Sequence, residues 1–215
     1  MAKNKFSRPR KFKEIGAKVI IVCEGETEEI YFEAIRKAKK LSTLKIEVVN
    51  PAHTDPENIV RIAVERRNEL KKEKRWLPED EIWAVYDGDE HKIANINNWN
   101  NAINLANREI IKLGISNPSF ELWYLLHHQE QNAEIHRDET VRRLKIHLPH
   151  YHKTTDLYQK DFEPHKDSAT ARAVILADRI KRDGLEQFNN PSTEIYLLVK
   201  RLFEPQFIPK SVNIS

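Results

Sequence analysis

The stretch KVIIVCEGETEEIYFEAIRKAKK, residues 18–40, decides the fold class. Its first six residues are a continuous, mainly β-branched run, which is typical of a strand buried on both faces of a sheet. From Thr27 to about Lys40, apolar residues recur every three or four positions and predict an amphipathic helix. The turn Glu24-Gly25-Glu26 lies between them. The stretch therefore predicts a strand–helix unit with an acid directly after the strand.

The same alternation continues through the first 130 residues. Further strands are predicted at 44–49, 81–86 and 113–116, and helices at 56–75, 97–112 and 118–127. Strands that alternate with helices indicate a parallel sheet covered by helices on both faces, so the predicted class is α/β. After residue 130 the pattern is helical or irregular, with helices predicted at 138–147, 168–182 and 192–203.

This pattern predicts four segments in the chain of 215 residues. Residues 1–14 form a flexible basic arm, 15–130 the α/β core, 131–204 a helical extension packed on the core, and 205–215 a weakly ordered tail. The arm contains six basic residues that are candidates for contact with nucleic-acid phosphates: Lys3, Lys5, Arg8, Arg10, Lys11 and Lys13. A solvated tail without a partner is the alternative interpretation.

Composition excludes several classes of protein. The single cysteine, Cys23, excludes an internal disulfide framework, and the five glycines form none of the glycine-rich phosphate-binding motifs. No apolar run is long enough to cross a membrane, and the start lacks an apolar signal segment. These features lead us to expect a cytoplasmic protein. The net charge of +3 is too small to indicate nucleic-acid binding by itself.

Acidic residues follow two of the predicted strands. Glu24 follows the first, and Asp87 and Asp89 follow the third. In a parallel sheet the carboxyl ends of the strands share one edge, so these acids are expected to meet, with Glu28 one helical turn further on. Clustered carboxylates suit a hard cation such as Mg²⁺ or Mn²⁺. The alternatives are an ordinary Asp-Gly-Asp turn and acids that complement a helix dipole.

Three stretches resemble the RloB/AbiLii-like proteins: IIVCEGETE at 20–28, YDGDEH at 86–91 and SNPSFELWYLLH at 116–127. The NPST stretch at 190–193 is also similar to the end of that family, so the resemblance spans residues 17–203. These proteins are similar to small members of the TOPRIM superfamily and to the catalytic part of OLD-family nucleases. The resemblance implies a TOPRIM-like parallel sheet.

The resemblance also implies a site. Glu24 matches the TOPRIM glutamate, Asp87 and Asp89 match the paired aspartates, and Glu28 matches a ligand of a second metal ion. Ser116 and Glu121 fall where related nucleases add ligands. The implied activity is a two-metal endonuclease that acts on DNA or RNA in prokaryotic antiphage or abortive-infection defence. An AAA/ABC-type ATPase is the implied partner, and a homo-oligomer is left open.

Other residues and functions complete the set of hypotheses. Lys153 is the candidate for stabilising charge on the reacting phosphate, with a plain surface lysine as the alternative. His91 follows the acidic turn and is a second candidate, as a proton carrier or a positioning group.

Two other functions remain open: a non-catalytic regulatory subunit that binds Mg²⁺ or a nucleotide, and a toxin-like inhibitor of translation. Four histidines are expected to be solvated rather than to bind zinc: His147, His150, His152 and His165.

Overall fold

A computed structural model describes residues 17–48 and 54–204, with only the backbone of Val48, Asp89 and Glu90. The basic arm with its six candidate phosphate contacts and the tail at 205–215 lie outside the described residues. Their predicted roles stay predictions.

The centre of the described structure is a five-stranded sheet with the order β2-β1-β3-β4-β5. Its strands are β1 (Val19–Cys23), β2 (Leu44–Val48), β3 (Glu81–Asp87), β4 (Lys112–Asn117) and β5 (Ser192–Thr193). The first four strands pair in parallel, and β5 is antiparallel to β4. This arrangement confirms the predicted α/β class and is compatible with a TOPRIM-like sheet.

Helices cover both faces of the sheet. They are α1 (Glu26–Ala38), α2 (Pro56–Lys72), α3 (Asp89–Ala94), α4 (Ile96–Glu109), α5 (Glu121–His128), α6 (Arg137–His147), α7 (Lys166–Arg182) and α8 (Ile195–Leu202). A π-helical turn and a 3₁₀ turn lead into α7. None of the described helices is long and apolar enough to cross a bilayer.

Two apolar cores lie on opposite faces of the sheet because side chains alternate along each strand. Ile21 of β1 packs with residues of α1, α5, α7 and α8, including the fully buried Tyr31 and Trp123. Ile20 and Val22 pack on the other face, against α2 and α4. All five residues of β1 are buried, which accounts for the unbroken apolar run in the sequence.

The fifth strand differs from the sequence prediction. A helix was expected from residue 192, but Ser192 and Thr193 pair with Asn117 and Ser116 of β4, and α8 begins only at Ile195. The Thr193 and Ser116 hydroxyl oxygens are also 2.7 Å apart. These cross-strand bonds hold the segment extended. The sheet thus includes Ser192 and Thr193, which the sequence pattern assigned to the helical extension. The predicted boundary between core and extension at residue 130 stays a prediction.

The segment after β3 is a second difference. Gly88 has helical backbone angles (φ −95°, ψ −39°), and the short helix α3, which the sequence pattern did not predict, begins at Asp89. A Cβ atom at Gly88 would lie 2.8 Å from the Cβ of Asn117, so the close approach of β4 requires glycine here. The chain therefore does not stay extended from Asp87 to Asp89.

Candidate functional site

The carboxyl ends of β1 and β3 bring two of the predicted acids together. Glu24 directly follows β1, and its Oε2 accepts a hydrogen bond of 2.9 Å from the backbone N–H of Asp87. Its Oε1 lies 3.0 Å from Nε2 of His91, which is on α3. The expected meeting of Glu24 and Asp87 is therefore present, and His91 is in contact with the same site.

Asp87 is the last residue of β3, and its side chain links β3 to two later elements. Its Oδ1 accepts a hydrogen bond of 2.8 Å from the backbone N–H of Phe120. Its Oδ2 accepts one of 2.8 Å from Nη2 of Arg137, the first residue of α6. The first of these bonds ties the backbone of Phe120, the residue before α5, to the end of β3.

Glu28 lies in the first turn of α1 and is buried, with 5% of its surface exposed. Burial raises its pKa to about 8, and the charges of Glu24 and Glu121 act in the same direction. Its own backbone N–H and the ammonium group of the exposed Lys153 oppose that rise. Glu28 therefore lies within electrostatic range of two other acids, and Lys153 lies close enough to act on this site.

Glu121 is the first residue of α5 and is also buried. Its Oε2 accepts a hydrogen bond of 2.7 Å from the Ser119 hydroxyl, and its Oε1 accepts one of 3.0 Å from the Tyr151 hydroxyl. Burial, together with the charge of Glu121, raises the pKa of Tyr151, so the tyrosine remains a neutral donor. The two hydroxyls fix the orientation of the Glu121 carboxylate.

Glu24, Glu28, Asp87 and Glu121 are here called the acidic cluster. Burial raises the pKa of Asp87 well above its usual value, and Glu28, Glu24 and Glu121 raise it further. The Arg137 guanidinium lowers it, but the upward effects dominate. Each charge in the cluster thus disfavours the others, and a bound divalent cation would relieve that repulsion.

The chemistry of the cluster fits a hard divalent cation, because all of its side chains offer carboxylate oxygens. Within residues 17–48 and 54–204, however, no three His, Cys, Asp or Glu side chains are placed so that they could hold a metal ion as they stand. The carboxylates of Glu24, Asp87 and Glu121 instead face protein donors. Metal binding would therefore require side-chain rotation, and the ligand roles stay predictions. Asp89 begins α3, and its side chain is not described.

Two further predictions concern residues around the cluster. The hydroxyl of Ser116 pairs with Thr193 and is buried, so in this structure Ser116 joins β4 to β5. The four histidines expected to be solvated are all exposed. Two of them, His147 and His165, lie beside His128, with ring centroids 5.3 and 5.6 Å from it.

Three polar contacts of the cluster were missed by sequence reasoning: those from Arg137, Tyr151 and Ser119. Arg137 and Tyr151 reach their partners from 50 and 30 positions away in sequence, so no local spacing connects them. One signal was available for Arg137. A basic residue in the first turn of a helix opposes the helix dipole, which suggests that a nearby acid stabilises it.

A comparison with protein-family models matches residues 19–202 of this chain to the RloB-like proteins. Searches of curated proteins and of solved structures find no match. The matched residues include the whole acidic cluster, together with Arg137, Tyr151 and Lys153.

Proposed function

Because the chain belongs to the RloB-like family, we propose that it is a metal-dependent nuclease that hydrolyses phosphodiester bonds of DNA or RNA. In this proposal, the protein acts in the cytoplasm of a prokaryote, in antiphage or abortive-infection defence. An AAA/ABC-type ATPase is the proposed partner, since the sequence contains no nucleotide-binding glycine motif of its own.

The observation that carries the proposal is the electrostatic state of the acidic cluster. Two buried carboxyl groups, Glu28 and Asp87, have raised pKa values, and each of them is raised partly by other acids of the cluster. Raised pKa values caused by burial and by like charges are typical of sites that bind cations or perform chemistry. The location supports the same conclusion, because ligands of open α/β sheets bind at the carboxyl ends of the strands.

The proposed ligands of two Mg²⁺ or Mn²⁺ ions are Glu24, Glu28, Asp87, Asp89 and Glu121. When bound, such ions activate water and stabilise the leaving oxygen of a phosphodiester. Tyr151 and Ser119 hydrogen-bond the Glu121 carboxylate, and His91 contacts that of Glu24. Both carboxylates would rotate from these contacts to reach a metal. Lys153, exposed beside Glu28, supplies a positive charge for the phosphate.

Cleavage assays on the purified chain test the proposal. Single-stranded and duplex DNA, tRNA and other RNA are incubated with Mg²⁺, with Mn²⁺ or with EDTA. Wild-type protein is expected to cleave at least one of these substrates in the presence of metal, and Asp87→Ala is expected to lose that activity. Glu26→Gln is the matched control, because Glu26 lies in the same acidic turn but is exposed. Equal residual cleavage by wild type and Asp87→Ala would indicate a contaminating nuclease and contradict the proposal.

A non-catalytic regulatory subunit is the second candidate function. The pair between Asp87 and Arg137 favours it, because Arg137 occupies an oxygen of Asp87 that a two-metal nuclease would need as a ligand. Tight binding of Mn²⁺ by the wild type, without turnover of any nucleic acid in the presence or absence of the ATPase partner, would support this second function over the first.

A further inference from the structure

We propose that Arg137 is an exchangeable counter-ion of the acidic cluster: it pairs with Asp87 when no metal is bound, is released by the metal, and then binds a phosphate of the substrate. This inference rests on the proposed nuclease function and adds to it a residue that recognises phosphate.

The first step of the argument is the geometry of the pair. Nη2 of Arg137 lies 2.8 Å from Oδ2 of Asp87. The other oxygen of Asp87 accepts from the backbone of Phe120, a donor that the fold fixes in place. Arg137 donates from its side chain, so it can leave Asp87 without a change in the backbone. Its departure frees Oδ2 of Asp87.

The second step is the charge balance. Arg137 places one positive charge against Asp87, within a cluster whose other members are the acids Glu24, Glu28 and Glu121. A divalent cation among these carboxylates would neutralise the same charges and would repel the guanidinium at short range. Metal and Arg137 therefore compete for Asp87, and each weakens the binding of the other.

The third step concerns what a released Arg137 can bind. A guanidinium remains charged at every physiological pH and presents paired N–H donors that match two oxygens of a phosphate. The Arg137 side chain is 22% exposed, so it lies at the boundary between the cluster and solvent, where a nucleic-acid backbone would approach. Lys153, another cation that acts on the cluster, is exposed as well.

Two binding measurements on the full chain test this exchange. Affinity for Mn²⁺ is measured by calorimetry, and affinity for a labelled DNA and a labelled RNA oligonucleotide by fluorescence anisotropy with Ca²⁺ in place of Mg²⁺. Arg137→Gln is expected to bind Mn²⁺ about tenfold more tightly and the preferred oligonucleotide about tenfold more weakly than wild type. Arg137→Lys, which keeps the charge but not the paired donors, is expected to restore most of the wild-type Mn²⁺ affinity and only part of the oligonucleotide affinity.

The matched control is Arg142→Gln on the same helix, because Arg142 is exposed and pairs with Glu139 rather than with the cluster. Its two affinities are expected to equal those of wild type. A purely structural role of Arg137 would predict weaker binding of both Mn²⁺ and oligonucleotide, together with a lower melting temperature. That result, or unchanged affinities in Arg137→Gln, would overturn the exchange.

The outcomes also separate this inference from the proposed function. If wild-type protein binds no Mn²⁺, the proposed metal site itself is wrong, and the exchange falls with it. If wild type binds Mn²⁺ and cleaves nucleic acid while Arg137→Gln leaves both affinities unchanged, only the exchange is wrong. Wild-type protein that binds Mn²⁺ but neither oligonucleotide would contradict the phosphate-binding step.

Discussion

The two ends of β3 carry acids whose side chains are exposed to a similar fraction but whose surroundings differ. The side chain of Glu81 is 14% exposed and that of Asp87 is 13% exposed. Burial alone would raise the pKa of Glu81, but hydrogen bonds from Lys112 and Arg201 outweigh it and lower that pKa. The pKa of Asp87 is raised, because burial acts there together with three other acids. Burial disfavours the charged form of both acids; the cationic partners of Glu81 reverse that effect, while the other acids near Asp87 add to it.

This difference separates a structural acid from a candidate functional one. At the amino end of β3, Lys112 and Arg201 lie 2.9 and 2.6 Å from the carboxylate of Glu81, which is thereby compensated. At the carboxyl end, the charge of Arg137 does not offset the acids of the cluster. Buried acids whose pKa values are raised by other acids are typical of functional sites.

The largest expected effect is on catalysis. Asp87→Asn is expected to reduce metal-dependent cleavage at least ~100-fold, because a neutral amide is a poor ligand and leaves the site without a central charge. Glu81→Gln, at the other end of the same strand, is expected to leave the cleavage rate within about twofold of wild type. The check is the initial rate on the preferred substrate at saturating Mg²⁺. A similar loss of cleavage rate in both variants would show that cleavage depends equally on the acids at the two ends of β3.

Metal binding is expected to stabilise the carboxyl end of the strand. Mn²⁺ at 100 times its dissociation constant would add about 2.7 kcal/mol to the free energy of unfolding. A thermal melt should therefore show a rise in melting temperature for wild type and Glu81→Gln, and little or no rise for Glu28→Gln. EDTA should reverse the rise. An equal rise in all three proteins would locate the bound metal outside the acidic cluster.

The two ends should also differ in the sign of their pH dependence. The folded-state pKa of Glu28 is raised to about 8, so its contribution to stability is fully present below the unfolded pKa and is lost as pH rises towards 8. The folded-state pKa of Glu81 is lowered, so its contribution is present above the unfolded pKa and is lost in acid.

Urea unfolding without metal, at pH 5 and pH 8, measures this difference. Wild type is expected to lose on the order of 1 to 3 kcal/mol over this interval through Glu28, and Glu28→Gln is expected to lose less. Glu81→Gln should follow the wild-type trend between these two values and lose less stability than wild type below about pH 4. If Glu28→Gln loses as much stability as wild type between pH 5 and pH 8, Glu28 is not the source of that loss.

The smallest expected effect is that of Lys112→Met. Lys112 is 45% exposed, and Arg201 remains as a partner of Glu81, so the free energy of unfolding should fall by less than about 1 kcal/mol. Equilibrium urea unfolding at pH 7 measures it. A loss of several kcal/mol would mean that Lys112 alone compensates Glu81.

Periodicity predicted four of the five strands, because each is long enough to show a pattern. The order of strands and helices was also sufficient to bring Glu24 to Asp87, since parallel strands end at a common edge. β5 could not be found in this way, because two residues carry no periodicity and Ser192 resembles a helix cap. Arg137 and Tyr151 could not be assigned to the cluster because their contacts depend on tertiary packing of distant segments.

The pairing of β4 with β5 has a consequence for the order of events during synthesis. Ser116 and Asn117, which adjoin the acidic cluster, obtain their outer partner only when Ser192 and Thr193 are present. On the ribosome, the first four strands can therefore assemble early, but the edge beside the cluster stays open until Ser192 and Thr193 have left the exit tunnel. A nascent chain would complete this side of the sheet last.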